Sequence, residues 1–390
     1  MRDLKCKTIK ILSIAGLAAY FFLSLYLYYQ QTLYPVTGRF ESDLPFHISM
    51  AVDDHWYYSF TAYVYLLCSL TPVSNFLIAL FLALVSALTV VLTADLLERI
   101  RAGFDEKPLP KGLALGLALA LNFMMAFYLP MANHAHYIGY QSGSLWHNST
   151  YLVMRLLSVL AIRLFLDLMD HYDPKLSAKD WICFSLLLIL VTGVKPSFLV
   201  VFAPVMALFL LTELLKNKRF LPVFCFGLTV VPAVLVVLWQ NLVLFGSDTG
   251  NGFALRPFYV LSQRSENPKI TLLLSVLFPF LVGLYHLRDF WKDRIYFGGL
   301  LLWAVGFGEA FLLAETGSRS KDGNFLWGYA IALFFLNLAS LLRLLRDLEV
   351  KDLRTGRRIY LYITAVTFVW QVLAGVWYFG ILLTGATYFS

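Results

Sequence analysis

Charge is scarce in this chain. Of its 390 residues only 14% are Asp, Glu, Lys or Arg, while 59% are hydrophobic and the mean hydropathy is +0.71. That balance excludes an ordinary soluble globule and points to a polytopic membrane protein. Cysteine is scarcer still: Cys6, Cys68, Cys183 and Cys225 share no metal-ligand or disulfide spacing, which leaves them as packing residues. No Gly-rich strand–turn–helix phosphate loop occurs, and no stretch is left over for a soluble domain, so a bound nucleotide has no obvious seat. Internal repeats and low-complexity tracts are absent to inspection.

What is present is a succession of apolar runs, most of them long enough to cross a bilayer core of ~30 Å as a helix. Eleven spanning or half-spanning segments are predicted: 9–29, 72–95, 112–130, 149–169, 181–193, 197–215, 220–245, 270–287, 295–314, 325–342 and 359–385. The expected fold class is all-α, one integral membrane domain over 1–390. Met1 to Lys10 is basic and precedes an apolar run, as a signal peptide would, but no small-residue cleavage site comes before Tyr26, so the first helix is expected to be retained.

Lysine and arginine are held on the cytoplasmic side of short loops. Of the 31, 22 fall in the N-terminal tail, 96–111, 170–180, 216–219, 288–294 and 343–358, which are alternate connections. This register predicts a cytoplasmic N-terminus and an extracytoplasmic C-terminus. The net charge of +7 is the same bias and implies no nucleic acid. The outer connections are then 30–56, 131–148, 246–269 and 315–324. The first three are long and rich in aromatic residues, histidine, glycine and acids, so chemistry is expected there.

The stretch 181–215 begins and ends on the inner side, so its middle must reach outward. Segment 181–193 rises only ~20 Å at ~1.5 Å per residue, too little for the full core. The break at Lys195-Pro196 is therefore expected within the membrane's outer depth, where irregular backbone must be buried in protein or line a wet cavity.

Acids gather in RFESDLPFHISMAVDDHWYY, residues 39–58. Pro45 predicts a short helix with Leu44 at its boundary. Glu41 and Asp43 then stand just before a helix N-terminus, and His47 and Asp54 share a face. Asp43 could simply complement the helix dipole, or Asp43 or Glu41 could be a general base at headgroup depth, with the aromatic stretch after residue 55 lying in the interface plane. A third reading makes Glu41, Asp43, Asp53 and Asp54 oxygen ligands for Mg²⁺ or Mn²⁺, although their spacing matches no defined metal motif.

The loop MANHAHYIGYQSGSLWHNST adds His134, His136, Trp146, His147 and Asn148 as candidate pocket residues. Asn148-Ser149-Thr150 is formally a glycosylation sequon but reads better as a helix cap. Arg163 has Asp167 four residues on as a partner. Arg155, about two turns into its segment, has no such acid. It is expected either to pair with Glu309, at matching depth on another segment, or to hold a phosphate. Arg256, Arg264, Arg319, Lys321 and Lys195 together predict an outer basic pocket facing the acidic loop.

An acid opposite a basic, membrane-embedded pocket suits one reaction. A lipid-linked sugar phosphate is held by Lys and Arg while a carboxylate takes the proton of an acceptor hydroxyl attacking the anomeric carbon. The chain resembles the GT-C class of integral membrane glycosyltransferases, in which Glu41-Ser42-Asp43 would occupy the place of the essential acid of the first extracytoplasmic loop. The stretches WHNST and KPSF resemble bacterial envelope-polysaccharide membrane proteins. The resemblance implies a polyprenyl-phosphate-linked donor, a glycan or lipid-linked acceptor and a bacterial plasma membrane location. It also implies Asp43 or Glu41 as the catalytic carboxylate, acting as general base, and Lys195, Arg155 and Arg256 as phosphate-binding residues. A polytopic transporter or a lipid-linked saccharide flippase remains the alternative, since both place charges at half-membrane depth and use broken helices.

Overall fold

The computed structural model describes residues 2–36, 38–55, 57–104, 107–131, 145–173, 175–245 and 252–386. A chain surrounded by hydrocarbon must satisfy its backbone hydrogen bonds internally, and it does so here almost entirely with helices. In chain order these are α1 (Arg2–Leu33), α2 (Leu44–Val52), α3 (Phe60–Ser69), α4 (Ser74–Ala102), α5 (Lys111–Phe123) and α6 (Ser149–His171). Next come α7 (Ala178–Val194), α8 (Ser197–Asn217), α9 (Phe220–Gly227), α10 (Val231–Phe245) and α11 (Tyr259–Arg264). The last are α12 (Pro268–Ser275), α13 (Leu277–Tyr285), α14 (Arg294–Leu312), α15 (Leu326–Glu349) and α16 (Thr355–Leu383). Among the described residues seven helical stretches are long and apolar enough to cross a membrane, so the molecule is a helical, polytopic membrane protein.

Of the other four predicted segments, 149–169 and 181–193 fall within the continuous helices α6 and α7, whereas two differ from simple rods. Segment 112–130 is helical only through Phe123, and the chain then runs extended along α16. Met125 N–H donates to the Gln371 carbonyl at 3.1 Å, and Gln371 Nε2 donates back to the Met125 carbonyl at 2.9 Å. Gly375 allows this approach, because a Cβ there would fall 1.5 Å from the Phe123 carbonyl oxygen. Segment 270–287 is α12 and α13, bent by 67°. Pro279 lacks an N–H for the Ser275 carbonyl and its ring crowds that carbonyl. The same Gln371 fills the break, accepting from Phe278 N–H at 3.2 Å and donating to the Ser275 carbonyl at 3.4 Å.

The expected all-α class holds, and a single short ladder accompanies the helices among the described residues. Strand β1 (Phe253–Leu255) pairs antiparallel with β2 (Leu313–Glu315), Ala254 opposite Ala314, where α14 runs out into extended chain.

Helix α15 forms the buried axis of the bundle, with 89% of its most apolar window covered by protein. Its end at Glu349 belongs to a pole of ion pairs: Asp293, almost fully buried, takes Arg343 at 3.2 Å and also Arg346, while capping the N–H groups of Ile295 and Tyr296. Arg99 meets Asp167 at 2.6 Å and also Asp170, and Arg163 pairs with Asp95 and Asp167. The 22 clustered Lys and Arg of the sequence lie in the segments of this pole. The opposite pole gathers the ends of α1, α7, α10, α14 and α16 with the starts of α4, α6, α8 and α15, and it carries α2, α3 and the strands.

Candidate functional site

At this second pole a cavity of about 590 Å³ opens between α2, the break after α7, α10 and the segments flanking the strands. Asp43 stands at the N-cap of α2, but its carboxylate does not cap that helix. Its N–H donates to the His147 carbonyl at 2.9 Å, tying the first loop to the start of α6. Asn148 Nδ2 donates to Asp43 Oδ2 at 2.7 Å, and His147 Nε2 lies 3.3 Å from the same oxygen. Asn148 Oδ1 meanwhile accepts from Tyr151 N–H at 2.9 Å and from the Thr150 hydroxyl at 2.7 Å. One asparagine therefore caps α6 and aims the acid. Among the described residues Asp43 Oδ1 has no partner, and the side chain is 30% exposed on the cavity wall.

Lys195 comes from the break between α7 and α8. Its backbone is extended there, and Pro196 starts the next helix. The ammonium donates to the Thr150 hydroxyl at 3.2 Å and sits 4.8 Å from the centre of the Trp327 ring. The break is held by Ser59, whose hydroxyl donates to the Val194 carbonyl at 2.8 Å, and by Gln240 Nε2, 3.2 Å from the Gly193 carbonyl and 2.8 Å from that of Tyr58. Gly193 is required by contact, since a Cβ there would meet the Phe60 ring at 2.2 Å. Arg264, at the end of α11, donates to the carbonyls of Lys321 and Asp322 at 3.2 and 3.0 Å. Neither Lys195 nor Arg264 has a carboxylate at ion-pair distance among the described residues. Arg319, by contrast, meets Glu315 at 3.4 Å and Asp322 at 3.5 Å.

The charges set one another's protonation. Burial by itself lifts the Asp43 carboxyl, but His147, His47, the Asn148 bond and Lys195 together outweigh it and hold Asp43 below its ordinary value. Burial drives His47 down to about 4, against the pull of Asp43 and with the help of Lys195 and His147. His147 is lowered in the same way, by burial first and then by Arg264 and Lys195 against Asp43, so both imidazoles are neutral at pH 7. Burial brings Lys195 down to about 8, with Arg319 adding to it and Asp43 and Glu315 opposing. Glu315 is raised, chiefly by burial.

Of the residues singled out in the sequence, Asp43, His47, His147, Asn148, Lys195 and Glu309 line this one cavity, joined by Arg264, Arg319 and Lys321. Four others do not. Glu41 is half-buried beside the cavity wall, its carboxyl raised by burial and then by Asp43. Arg256 is exposed, spread over the Tyr259 ring at 5.4 Å, because its N–H is taken by the Leu312 carbonyl as the chain enters α11. Trp146 is 1% exposed and packs on Phe123 and Phe379, a core residue rather than a pocket residue.

Arg155 is the fourth. It forms no ion pair with Glu309: the arginine faces a separate, smaller cavity, while Glu309 turns toward the large one against Gly328, where a Cβ would meet Oε2 at 2.1 Å. Asp53 and Asp54 are exposed at the end of α2, each N–H bonded to the Ser49 carbonyl, away from the cavity. Among the described residues no three His, Cys, Asp or Glu side chains converge as a metal-ligand set. His134 and His136 lie outside the described residues.

No family model and no curated protein matches the chain. The chemistry of the site rests on its own geometry. That geometry includes groups the sequence did not single out: Glu315, Asn324, Gln240, Asn241 and Trp327 also line the cavity. Gln240 and Asn241 carried a signal, two amides side by side late in an apolar run, where unpaired polar groups are costly. Trp327 carried none, since an aromatic residue at a helix start in an apolar chain is ordinary packing.

Proposed function

We propose that this chain is a membrane glycosyltransferase of GT-C type. It moves a sugar from a polyprenyl-phosphate-linked donor to a hydroxyl of a glycan or lipid-linked acceptor, on the extracytoplasmic face of a bacterial plasma membrane. One observation carries the reading: a carboxylate held ionised, Asp43, shares a polar cavity with Lys195 and Arg264, neither of which has a carboxylate at ion-pair distance among the described residues. Phe46, Val200 and Val237 give the same cavity an apolar flank against which a lipid chain can lie. The clustering of Lys and Arg at the opposite pole supports an outward-facing site and a cytoplasmic N-terminus.

In this reading Lys195 and Arg264 seat the donor phosphate. Asp43 accepts the acceptor's hydroxyl proton as its oxygen bonds to the anomeric carbon, and the bond from that carbon to the phosphate oxygen breaks. The departing lipid phosphate gains the negative charge that the two cations stabilise. Asn148 and neutral His147 fix the carboxylate's rotamer. A transporter or flippase would concentrate its essential groups near the bundle's mid-depth, whereas Asp43, Lys195 and Arg264 all come from helix ends and connections at one pole.

The test is Asp43→Asn, which keeps size and an acceptor for Asn148. Turnover of a polyprenyl-phosphate hexose by the purified protein in lipid nanodiscs should fall by about 10²- to 10⁴-fold, with unchanged thermal stability. Near-normal turnover in this variant would refute Asp43 as the base.

A further inference from the structure

Arg155 lies in the interior of α6, fully buried, and none of its three guanidinium nitrogens has a hydrogen-bond partner. Its guanidinium carbon lies 3.8 Å from the centre of the Phe334 ring. A cation in this setting is costly unless a charge of opposite sign sits beside it. Among the described residues no carboxylate does, and the expected partner Glu309 faces elsewhere.

The guanidinium lines a second cavity, of about 20 Å³, separate from the proposed catalytic one. Its other polar walls are Tyr151, Ser275, Asn337 and Gln371, the Ser275 hydroxyl being engaged by the Thr271 carbonyl at 2.9 Å. Gln371 is already engaged at both ends of its amide by the α12–α13 break and Met125. Asn337 is buried with Oδ1 unpaired. It lies one helical turn beyond Phe334, on the same face of α15. The amide's two ends are interchangeable by a half-turn, so its NH₂ is available to the cavity. The space suits a single particle of about water's size and excludes a phosphate or a sugar. Water would supply hydrogen bonds but leave the charge unbalanced.

We propose that this cavity is a structural anion site, in which a chloride ion is held between the Arg155 guanidinium and the Asn337 amide and neutralises the buried cation. The site is independent of the glycosyl-transfer reading, since it shares no residue with the large cavity.

The experiment is thermal unfolding of the full-length purified protein in sodium chloride against sodium gluconate at equal ionic strength. The wild type should unfold about 3 °C or more higher in chloride, with a midpoint that climbs and saturates with chloride concentration, and bromide should substitute. Asn337→Asp places a carboxylate in the cavity and should abolish the anion dependence while keeping the protein folded in gluconate. Arg155→Met should abolish it too. Equal midpoints in chloride and gluconate for the wild type would overturn the proposal, as would an undiminished chloride effect in either variant. If neither variant folds, the wild-type comparison still decides.

Discussion

Raising the pH through 8 should strip the large cavity of the Lys195 charge without unfolding the protein. Burial brings Lys195 from an ordinary 10.5 down to about 8, so half the molecules lose this charge near that pH and nearly all by pH 9.5. A hydrogen bond to an ionised phosphate contributes about 1.5–3 kcal/mol when the donor is charged and about 0.5–1.5 kcal/mol when it is neutral. The difference, about 1–2 kcal/mol, corresponds to a loss of affinity of about 5- to 30-fold.

The assay is calorimetric binding of a short polyprenyl phosphate to the purified protein between pH 7.5 and 9.5, a window in which the phosphate itself, with a second pKa of about 6, stays doubly charged. Lys195→Arg supplies the control, because a guanidinium remains protonated throughout. Lys195 binds its proton less tightly in the folded chain than in the unfolded one, so between about 8 and 10.5 the unfolded state holds more protons and this group's contribution to stability rises with pH. Weaker binding together with undiminished stability is the expected pair. Affinity that stays flat in the wild type, or that falls equally in Lys195→Arg, would refute the placement of the donor phosphate at Lys195.

Two substitutions compare the arginines that the fold separated. Arg264→Met should raise the half-saturating concentration of a polyprenyl-phosphate donor by about 10-fold, as expected for a lost charge-assisted bond, whereas Arg256→Met, at an exposed side chain, should leave it unchanged; steady-state kinetics on both variants decides. Gln371→Leu should destabilise the bundle by about 3 kcal/mol, because it leaves Phe278 N–H and the Met125 and Ser275 carbonyls unpaired in a buried break. A chemical or thermal unfolding midpoint equal to the wild type would count against that role.

Much of the frame was legible from pattern alone. Apolar runs in the sequence anticipate each long helix, Pro45 announces α2, and Lys195-Pro196 announces the break between α7 and α8, because helix length, proline chemistry and the cost of unpaired backbone act locally. Where the reading failed, the deciding contact was remote. The extended chain after Phe123 depends on Gln371 and Gly375, more than two hundred residues away, and nothing in FMMAFYLP forecasts it. The kink at Pro279 falls inside the predicted segment 270–287, which was expected unbroken, and neither the bend nor its stabilisation by the same Gln371 was anticipated.

The candidate site divides the same way. Composition and charge spacing determined by themselves that this is a membrane protein with most of its Lys and Arg on one set of connections and five of its seven histidines on the other, since solvation energies depend on residue type and order. Which of those groups meet was decided only by the tertiary structure. Asp43 reached Asn148 and shared a cavity with Lys195 and Arg264, while Arg256 turned outward and Arg155 was sealed away from Glu309. Side chains a hundred residues apart become neighbours through helix packing and rotation, and a one-dimensional pattern encodes which face of a helix is apolar but not which other helix that face will meet.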